Sequence, residues 1–301
     1  NNTALTTLHC FGNQLTSLDV SSNTVLTTLN LENNQLTSLD VSSNTALTWL
    51  DCNSNQLTSL DVTGCAAMTL IAAGNNELTT IDLSTNDSLI NIGIQDNQLT
   101  DIDVSDKPNL EKLVVHTNQI DSLDLSNNYL LTYLWAGPFD SISIDLTNND
   151  SLEWVTLGGD LTMITGLSDK VNLTFLNVRE MELTSLDLSG CTSLVYLNHI
   201  HGNNLSSLDI TGCTALTQIN AYDNELTTID LSTNGSLEQL YLNSNQLSVL
   251  DLSYNPVINN INTTNNDSLS CIYVADTAYA QANWTINIDE WTSFCQGTIL
   301  G

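Results

Sequence analysis

The 301-residue sequence is poor in basic residues, with four Lys and Arg against 34 Asp and Glu and a formal net charge of −30. Phosphate binding needs clusters of Lys and Arg, so nucleic acid is excluded as a partner and anionic membrane surfaces are disfavoured. The sequence also lacks any run near the roughly 20 apolar residues that a membrane-spanning helix needs. We therefore expect no nucleic-acid binding and no membrane insertion.

Motifs of catalysis are lacking as well. The sequence contains no nucleophile elbow, no HExxH, no P-loop and no GxGxxG in a strand–helix context. Ser and Asp are abundant, but they recur at repeating positions, which indicates a structural role. The sequence therefore predicts a protein that is not an enzyme and has no cofactor.

What the sequence does contain is a hydrophobic frame that returns every 21 residues. One position of this frame is occupied by Leu8, Leu29, Leu50, Ile71, Ile92, Leu113, Leu134, Val155, Leu176 and Leu197, and after one inserted residue by Ile219, Leu240 and Ile261. Such periods are typical of solenoids, in which each turn buries its apolar edge against the next. In the type repeat, residues 28–48, the first segment alternates and predicts a short strand. Its LTSLDVS half predicts a second short strand or extended run.

The repeat carries a family resemblance. Residues 26–36 read LTTLNLENNQL, which matches the pattern LxxLxLxxNxL, and over roughly residues 5–274 the chain resembles the leucine-rich repeat family. The short period is similar to that of secreted and cell-surface members of the Bacteroidota type. The resemblance implies an α/β-type, mostly β repeat fold. This would be a right-handed solenoid of about 13 turns with a parallel β-sheet on its concave face, where a protein or glycan binds.

The repeat array and its end are expected to differ. Residues 1–274 form the array, which starts in mid-repeat without an amino-terminal cap, as a portion of something longer would. Residues 275–301 resemble the capping segment that closes such arrays. A disulfide between Cys271 and Cys295 is expected because a solenoid end needs fastening and the chain looks extracellular. Open solenoid ends also permit self-association.

Other cysteines fall inside the frame. Cys10 and Cys52 occupy an inward apolar position, while Cys65, Cys191 and Cys213 replace the Asn of a turn ladder. Cys191 and Cys213 lie in adjacent turns. The sequence leaves two alternatives for this pair, namely two buried thiols or a disulfide bridge.

The hydrophobic frame does not fix the residue type at the outward positions of the strand segments, and the side chains there are chemically the most varied. The predicted ligand-binding residues are Tyr133, Trp135, Trp154, Phe175, Asn177, Arg179, Tyr196, Tyr222, Tyr241, His116 and Lys112. Tyr133, Trp154, Phe175 and Tyr196 occupy one position in four successive turns and predict an aromatic column. Exposed aromatic residues and Arg are common anchors of binding surfaces, although a ring column that only stabilises the sheet is the alternative.

Two groups of side chains are candidate metal ligands. One extra residue in segment 198–202 predicts a bulge that turns His199 and His201 outward, but the spacing places no third ligand beside them. The second group is an Asp column, one residue per turn: Asp19, Asp40, Asp61, Asp82, Asp103, Asp124, Asp145, Asp187, Asp209, Asp230 and Asp251. These carboxylates either accept backbone hydrogen bonds in their own turns or bind Ca²⁺ between turns.

Together these features predict a non-catalytic binding and adhesion module that is extracellular or displayed at a cell surface. It is expected to recognise a protein partner through the concave face around residues 133–222. Glycan binding by the same aromatic column is one alternative. A structural spacer or stalk of a larger adhesin is the other.

Overall fold

The structure is a computed structural model that describes residues 2–139, 143–284 and 287–297. It divides into two compact units, Asn1–Ser141 and Ile142–Gly301. Each unit is a mostly β, parallel solenoid with turns of about 21 residues, about 14 turns in all, and almost no helix. The predicted solenoid is confirmed, whereas the boundary between array and cap at residue 274 stays a prediction. Residues 285–286 and 298–301 of the predicted cap lie outside the described residues.

The described part of the first unit forms one parallel sheet. Its strands are β1 (Thr7–His9), β2 (Thr28–Asn30), β3 (Trp49–Asp51), β4 (Leu70–Ala72), β5 (Asn91–Gly93), β6 (Lys112–Val114) and β7 (Tyr133–Phe139). Each strand pairs with the next in the register of the sequence repeat, so that Leu8 lies opposite Leu29 and Leu29 opposite Leu50. Equivalent residues of successive turns therefore form columns.

The described part of the second unit carries strands on two sides. On the same side of the repeat as β1–β7 are β9 (Trp154–Gly159), β11 (Phe175–Asn177), β13 (Tyr196–Leu197), β15 (Gln218–Asn220), β16 (Gln239–Tyr241) and β18 (Asn260–Asn262). The other strands are β8 (Ser143–Asp145), β10 (Met163–Thr165), β12 (Ser185–Asp187), β14 (Ser207–Asp209), β17 (Leu250–Asp251), β19 (Cys271–Val274) and β20 (Ser293–Gln296). In the second unit the LTSLDVS half of the repeat thus supplies the predicted second strand.

The inward residues of the repeat frame form the core. Leu29, Leu50 and Leu113 are fully buried, as are Leu176 and Leu240 in the second unit. Fully burying a Leu side chain contributes about 1.5–3 kcal/mol. Because the same positions recur in every turn, the burial is continuous along each unit.

A ladder of Asn residues joins the turns where the strands end. The side-chain Nδ2 of Asn34 donates to the carbonyls of Cys10 and Leu31, both at 2.9 Å, and its Oδ1 accepts from the N–H of Leu15. Asn55 repeats this pattern one turn later. One short amide thereby satisfies backbone groups of two turns that the bend leaves unpaired.

A second ladder runs through the opposite bend and uses only donors. Asn44 Nδ2 donates to the carbonyls of Val20 and Asn23, while its buried Oδ1 has no partner. A thiol or an ammonium group meets the same requirement. Accordingly Cys191 Sγ donates to Leu167 O at 3.2 Å, and Lys170 Nζ donates to Thr147 O at 3.2 Å.

Lys107 and Lys170 are further members of this ladder that were not predicted from the sequence, and both side chains are buried. The Nζ of Lys107 is bonded to Asp106, and that of Lys170 lies 2.7 Å from Asp150 Oδ1. A carboxylate at the surface thus compensates each buried ammonium group. The sequence signal was their frame position, 21 residues after Asn86 and Asn149.

The Asp column lies at the start of the second bend. Each carboxylate accepts the backbone N–H two residues ahead, as Asp103 Oδ1 does from Ser105 N at 2.9 Å. The other members do the same: Asp19, Asp40, Asp61, Asp82, Asp124, Asp145, Asp187, Asp209, Asp230 and Asp251. Hydrogen bonds from Ser105 hold the pKa of Asp103 below its ordinary value. The local hydrogen-bonding alternative is therefore present throughout the column.

The last described turns contain the only described helix, α1 (Thr277–Asn283), whose N-cap Asp276 accepts from the N–H groups of Ala278 and Tyr279. Strand β19 pairs with β20, and Cys271 is joined to Cys295 with their Cα atoms 6.0 Å apart. No described helix has the length and apolar character that crossing a membrane requires.

Candidate functional site

The candidate site lies on the strand face, which we define as the outward residues of β1–β7, β9, β11, β13, β15, β16 and β18 and the residue two positions beyond them. In the first unit these are Thr7, His9, Phe11, Thr28, Asn30, Glu32, Trp49, Asp51, Asn53, Leu70, Ala72, Gly74, Asn91, Gly93, Gln95, Lys112, Val114, His116, Tyr133, Trp135 and Gly137. In the second unit they are Trp154, Thr156, Gly158, Phe175, Asn177, Arg179, Tyr196, His199, His201, Gln218, Asn220, Tyr222, Gln239, Tyr241, Asn243, Asn260, Asn262 and Thr264. His199 and His201 are included because the register shifts by one residue after Tyr196, so that Asn177 pairs with His199.

The strand face is nearly free of carboxylates. Although the chain has 34 acidic residues, the described strand face carries Glu32 and Asp51 in the first unit and no acidic residue in the second. Burial raises the pKa of Asp51, with a smaller contribution from the charge of Glu32. The remaining positions are aromatic, amide, hydroxyl, His, Lys or Arg, together with Gly and a few aliphatic residues. The scarcity of carboxylates separates this surface from the bends, which carry the Asp column.

A shallow groove of about 400 Å³ opens on the strand face of the first unit. Its floor is formed by Ala72, Gly93 and Val114, which occupy one column in three successive strands. The column continues to Trp135 beyond Val114 and to Asp51 before Ala72. Small side chains between larger ones create the depression.

Aromatic and cationic groups line one end of the groove. The rings of His116 and Trp135 stack with centroids 4.1 Å apart, and Trp135 is 39% exposed. Lys112 Nζ lies 4.7 Å from the centre of the Tyr133 ring, a cation–π contact. Burial lowers the pKa of His116, which favours the neutral imidazole.

Amide side chains line the other end. Asn53 Oδ1 accepts from Gly74 N at 2.6 Å, and Asn91 lies on the rim. Gln95 extends across Gly74, where an added Cβ would collide with the Gln95 amide. Its Oε1 has no hydrogen-bond partner. The groove thus offers amide groups together with aromatic rings, and none of its lining residues is acidic.

In the second unit the face carries an aromatic cluster. The rings of Trp154 and Phe175 are nearly parallel, with centroids 3.6 Å apart and an interplanar angle of 10°. Phe175 also contacts His199 at 5.6 Å, and Tyr196 is 56% exposed. Arg179 lies on the same face, where its N–H donates to Asn177 Oδ1 at 3.4 Å.

A second group of rings follows in the next turns. His201 stacks on Tyr222 with centroids 4.5 Å apart. Tyr241 OH donates to Gln239 Oε1 and accepts from Asn260 Nδ2 at 2.7 Å. These contacts fix the positions of the rings on the strand face.

The predicted site residues are therefore divided between the units. Lys112, His116, Tyr133 and Trp135 lie around the groove of the first unit. The others, Trp154, Phe175, Asn177, Arg179, Tyr196, Tyr222 and Tyr241, lie on the second unit. Of the predicted column, Trp154 and Phe175 stack, while Tyr196 projects into solvent. That these residues bind a ligand stays a prediction.

Sequence reasoning missed the floor and amide rim of the groove. The signal was present in the frame, because Ala72 and Gly93 follow one another at the same outward position. Their significance depends on the larger neighbours that surround them.

The bulge predicted near His199 is present. Asn177 bridges to His199 and Val178 N donates to His199 O, which is one residue beyond the regular register. Ile200 is buried between the two outward His side chains. Burial lowers the pKa of His199, and the positive charge of Arg179 lowers it further. The described residues hold no group of three or more metal-ligating side chains, and a metal at His199 and His201 stays a prediction.

Comparisons with known proteins agree with this architecture. No protein-family model matches the sequence, and no curated protein matches it. Solved structures do match, and the chain belongs to the leucine-rich repeat family. Its finer resemblance to Bacteroidota proteins stays a prediction.

Three of the similar structures illustrate the range. The functional domain of InlJ from Listeria monocytogenes, which includes a cysteine ladder, is 30% identical; the match covers 95% of this chain and 67% of that one, with a TM-score of 0.73. The internalin InlF from Listeria monocytogenes is 20% identical over 97% of this chain and 86% of that one, with a TM-score of 0.68. The plant peptide hormone receptor RGFR1, in complex with RGF2, is 20% identical over 85% of this chain and 48% of that one, with a TM-score of 0.65.

Proposed function

We propose that this chain is a non-catalytic recognition module that binds a protein partner through its strand face. Within the predicted range of residues 133–222, the contact region that we propose is the strand face of the second unit, with Trp154, Phe175, Arg179 and Tyr196 as its anchors. A broad, open surface of this kind suits a protein ligand, because specific protein–protein interfaces bury at least ~1,000 Å² in total.

The observation that carries the proposal is the depletion of carboxylates from the strand face. The cores of protein interfaces are depleted in charged residues and enriched in Tyr, Trp, Phe and Arg. The strand face of the second unit has this composition, in a chain of net charge −30. A sheet that only had to fold would tolerate Asp and Glu at its exposed positions, as the bends of this chain do.

Ring stacking by itself does not account for the surface. The Trp154–Phe175 contact contributes about 0.5–1.5 kcal/mol beyond burial, which is the sheet-stabilising alternative. Tyr196, however, is 56% exposed, and Arg179 brings a guanidinium group to the same face. These two residues add nothing to a ring column and have the chemistry of contact residues.

We further propose that the module acts outside the cell or at a cell surface, as an adhesion component. The disulfide between Cys271 and Cys295 supports an oxidising compartment. The fold shared with an internalin and with a hormone receptor seen in complex with RGF2 is consistent with recognition of a protein. Self-association through the solenoid ends stays a prediction, which light scattering over a concentration series checks.

Site-specific photo-crosslinking tests the proposal. A benzoylphenylalanine at Tyr196, on the strand face, is compared with one at Tyr254, which lies in a bend and is 44% exposed. Both probes are exposed to the cell-surface proteins of cells to which the chain adheres. We expect a discrete crosslinked protein from Tyr196 and none from Tyr254. Equal crosslinking from both positions, or none from either, would contradict the proposal and favour a spacer role.

The crosslinked protein is then purified and titrated against variants. Trp154→Ala and Arg179→Ala are expected to weaken binding at least ~10-fold each, because anchors of this type contribute about 2 kcal/mol or more. Tyr254→Ala serves as the control with unchanged affinity. Circular dichroism verifies that every variant keeps its sheet content. Unchanged affinity in both anchor variants would overturn the assignment of the contact region.

A further inference from the structure

We propose that the groove of the first unit is a subsite for a neutral saccharide of one or two rings. It is separate from the protein-binding region of the second unit and does not rest on the function proposed above. The inference combines the shape of the groove, the chemistry of its lining and its lack of acidic residues.

The shape comes from the missing side chains of the floor. Gly93 and Ala72 leave a depression of about 400 Å³, within the ~300–1,000 Å³ range of small-ligand pockets. Trp135 rises at one end of the floor column and Asp51 lies before its other end. A sugar ring therefore has room above the floor, beside the aromatic wall that Trp135 forms.

The lining matches the two faces of a sugar. The C–H face of a pyranose is apolar and packs against an aromatic ring, for which Trp135 is positioned and 39% exposed. The hydroxyl groups need partners that both donate and accept. Amide side chains do so, and Asn53, Asn91 and Gln95 line the rim.

One of these amide side chains has an unused hydrogen-bond acceptor. Gln95 Oε1 lacks a hydrogen-bond partner, and Gly74 gives its side chain room to lie over the sheet. This oxygen is covered from solvent, so a donor hydroxyl would reach it only after the Gln95 amide turns toward the groove. The new hydrogen bond would then recover the about 1–3 kcal/mol that a buried, unpartnered acceptor costs. The contact of His116 with Trp135 fixes the ring that the sugar would meet.

Charge decides between ligand classes. The net charge of −30 repels anionic ligands, and the groove lining has no carboxylate to attract cationic ones. Its single cation, Lys112, is engaged with the Tyr133 ring. The electric field of the chain neither attracts nor repels a neutral polyhydroxyl ligand. The hydroxyl groups of such a ligand can still form hydrogen bonds with the amide side chains.

Gly93 offers a decisive variant. A Cβ built there would lie 3.5 Å from Gln95 Oε1 and 3.9 Å from Ile71 O, which are ordinary contacts. Gly93→Val should therefore fold, with a β-branched residue favoured in a strand, while its side chain fills the floor. Gly235→Val is the matched control, since a Cβ there would meet its nearest atom, Tyr254 O, at 3.8 Å in the second unit.

Saturation-transfer NMR and calorimetry with cellobiose, diacetylchitobiose, mannobiose and lactose test the proposal, with a hyaluronan tetrasaccharide as the anionic probe. Binding is expected to be weak, with a Kd on the order of 1 mM, because the groove is open. At least one neutral disaccharide should bind the native chain and the Gly235→Val variant. Gly93→Val should abolish this binding, and Trp135→Ala should weaken it at least ~10-fold.

Three results would overturn the inference. These are no binding of any neutral disaccharide at about ten times the expected Kd, binding that Gly93→Val leaves unchanged, and binding of the hyaluronan probe alone. Melting curves of both Val variants show whether the fold is retained. Trp154→Ala, a variant of the second unit, should bind the disaccharide normally, which keeps the outcome distinct from that of the protein-binding experiment.

Discussion

At the scale of the residue, the repeats keep a hydrogen-bond donor at one buried position more strictly than they keep one type of side chain there. The second ladder needs a hydrogen-bond donor aimed at the preceding turn, and Asn, Cys and Lys all supply one. Asn44 leaves its Oδ1 unused, so the acceptor half of the amide is dispensable there. This explains why thiols and even ammonium groups are found at a buried position of a leucine-rich repeat.

The donor requirement gives a first prediction. Lys170→Asn should leave stability within about 0.5 kcal/mol of the native chain, because an Asn donor serves the other turns at this position. Lys170→Leu should lower stability by about 1–3 kcal/mol, since it removes the donor to Thr147 O. Thermal melting followed by circular dichroism measures both. Equal effects of the two substitutions would show that side-chain volume, and not donation, matters.

A second prediction concerns pH. Burial raises the pKa of Asp51 above 3.8, so its ionised form opposes folding once the pH exceeds that value. Asp51→Asn should raise the melting temperature at pH 7 by about 1–2 °C and lose this advantage below about pH 4. The amide can keep the contact with Asn53 N, because Asn30 makes the equivalent one to Glu32 N.

Asp19→Asn is the control with the opposite sign. Hydrogen bonds from Ser21 lower the pKa of Asp19, so its stabilising contribution is present above pH 3.8 and lost as the pH falls through the lowered value. Removing this carboxylate should therefore bring no gain at pH 7. A gain from Asp51→Asn that persists at pH 3 would contradict the burial argument.

At the scale of the element, each turn is too short to be stable alone. The strands of the first unit span three residues, except β7 with seven, and each is held by its neighbours through in-register pairing. Elements of this kind depend on contacts between adjacent turns, so the last turns need separate protection. Helix α1, strand β20 and the buried Trp284 supply it in the described residues.

A third prediction follows for this end. The disulfide between Cys271 and Cys295 closes a loop with a sequence separation of 24. Replacing both residues with Ser should destabilise the local structure by roughly 3 kcal/mol through the loss of loop constraint. Hydrogen exchange should accelerate in β19, α1 and β20 while β1–β5 remain protected. Uniform acceleration over both units would show that the bond stabilises the entire chain.

At the scale of the whole molecule, charge is partitioned between surfaces. The bends carry the Asp column, and the strand face of the second unit carries none of the described carboxylates. Each Asp of the column accepts a hydrogen bond in its own turn, which lowers the pKa of Asp61 and Asp124 among others. A net charge of −30 nevertheless makes the chain repel itself at low salt.

The fourth prediction separates screening from calcium binding. Raising NaCl from about 10 to about 200 mM should raise the melting temperature, because the Debye length falls from roughly 30 to under 10 Å. Ca²⁺ and Mg²⁺ at equal ionic strength should then act alike if the column relies on its local hydrogen bonds. A stabilisation by Ca²⁺ that Mg²⁺ does not reproduce would instead place calcium between the turns.

Much of the fold was predictable because burial imposes the same demand in every turn. Leu29, Leu50 and Leu113 recur at one spacing, and nothing other than a solenoid buries all of them together. The Asp column was predictable as a column, and the local hydrogen bonds that the structure shows were one of the two alternatives that the sequence left open. The alternatives differ only in where a carboxylate oxygen points.

The candidate site was less accessible to such reasoning. Phe175 and Trp154 could be assigned to one column from the period, and they stack. The burial of Lys107, by contrast, contradicts the ordinary behaviour of its residue type and depends on the carboxylates of Asp87 and Asp106. Only packing decides whether a charged side chain at a frame position finds such partners.

By itself, the sequence determined the period, the inward set and the outward columns, because hydrophobic burial acts on every repeat in the same way. The tertiary structure alone decided which outward residues meet. The groove at Gly93 exists because side chains from several turns stand around an empty position, and the unpartnered Gln95 oxygen exists because of the conformation that this side chain adopts over Gly74. Those relations join residues about 21 positions apart or more, and they depend on side-chain geometry that periodicity does not contain.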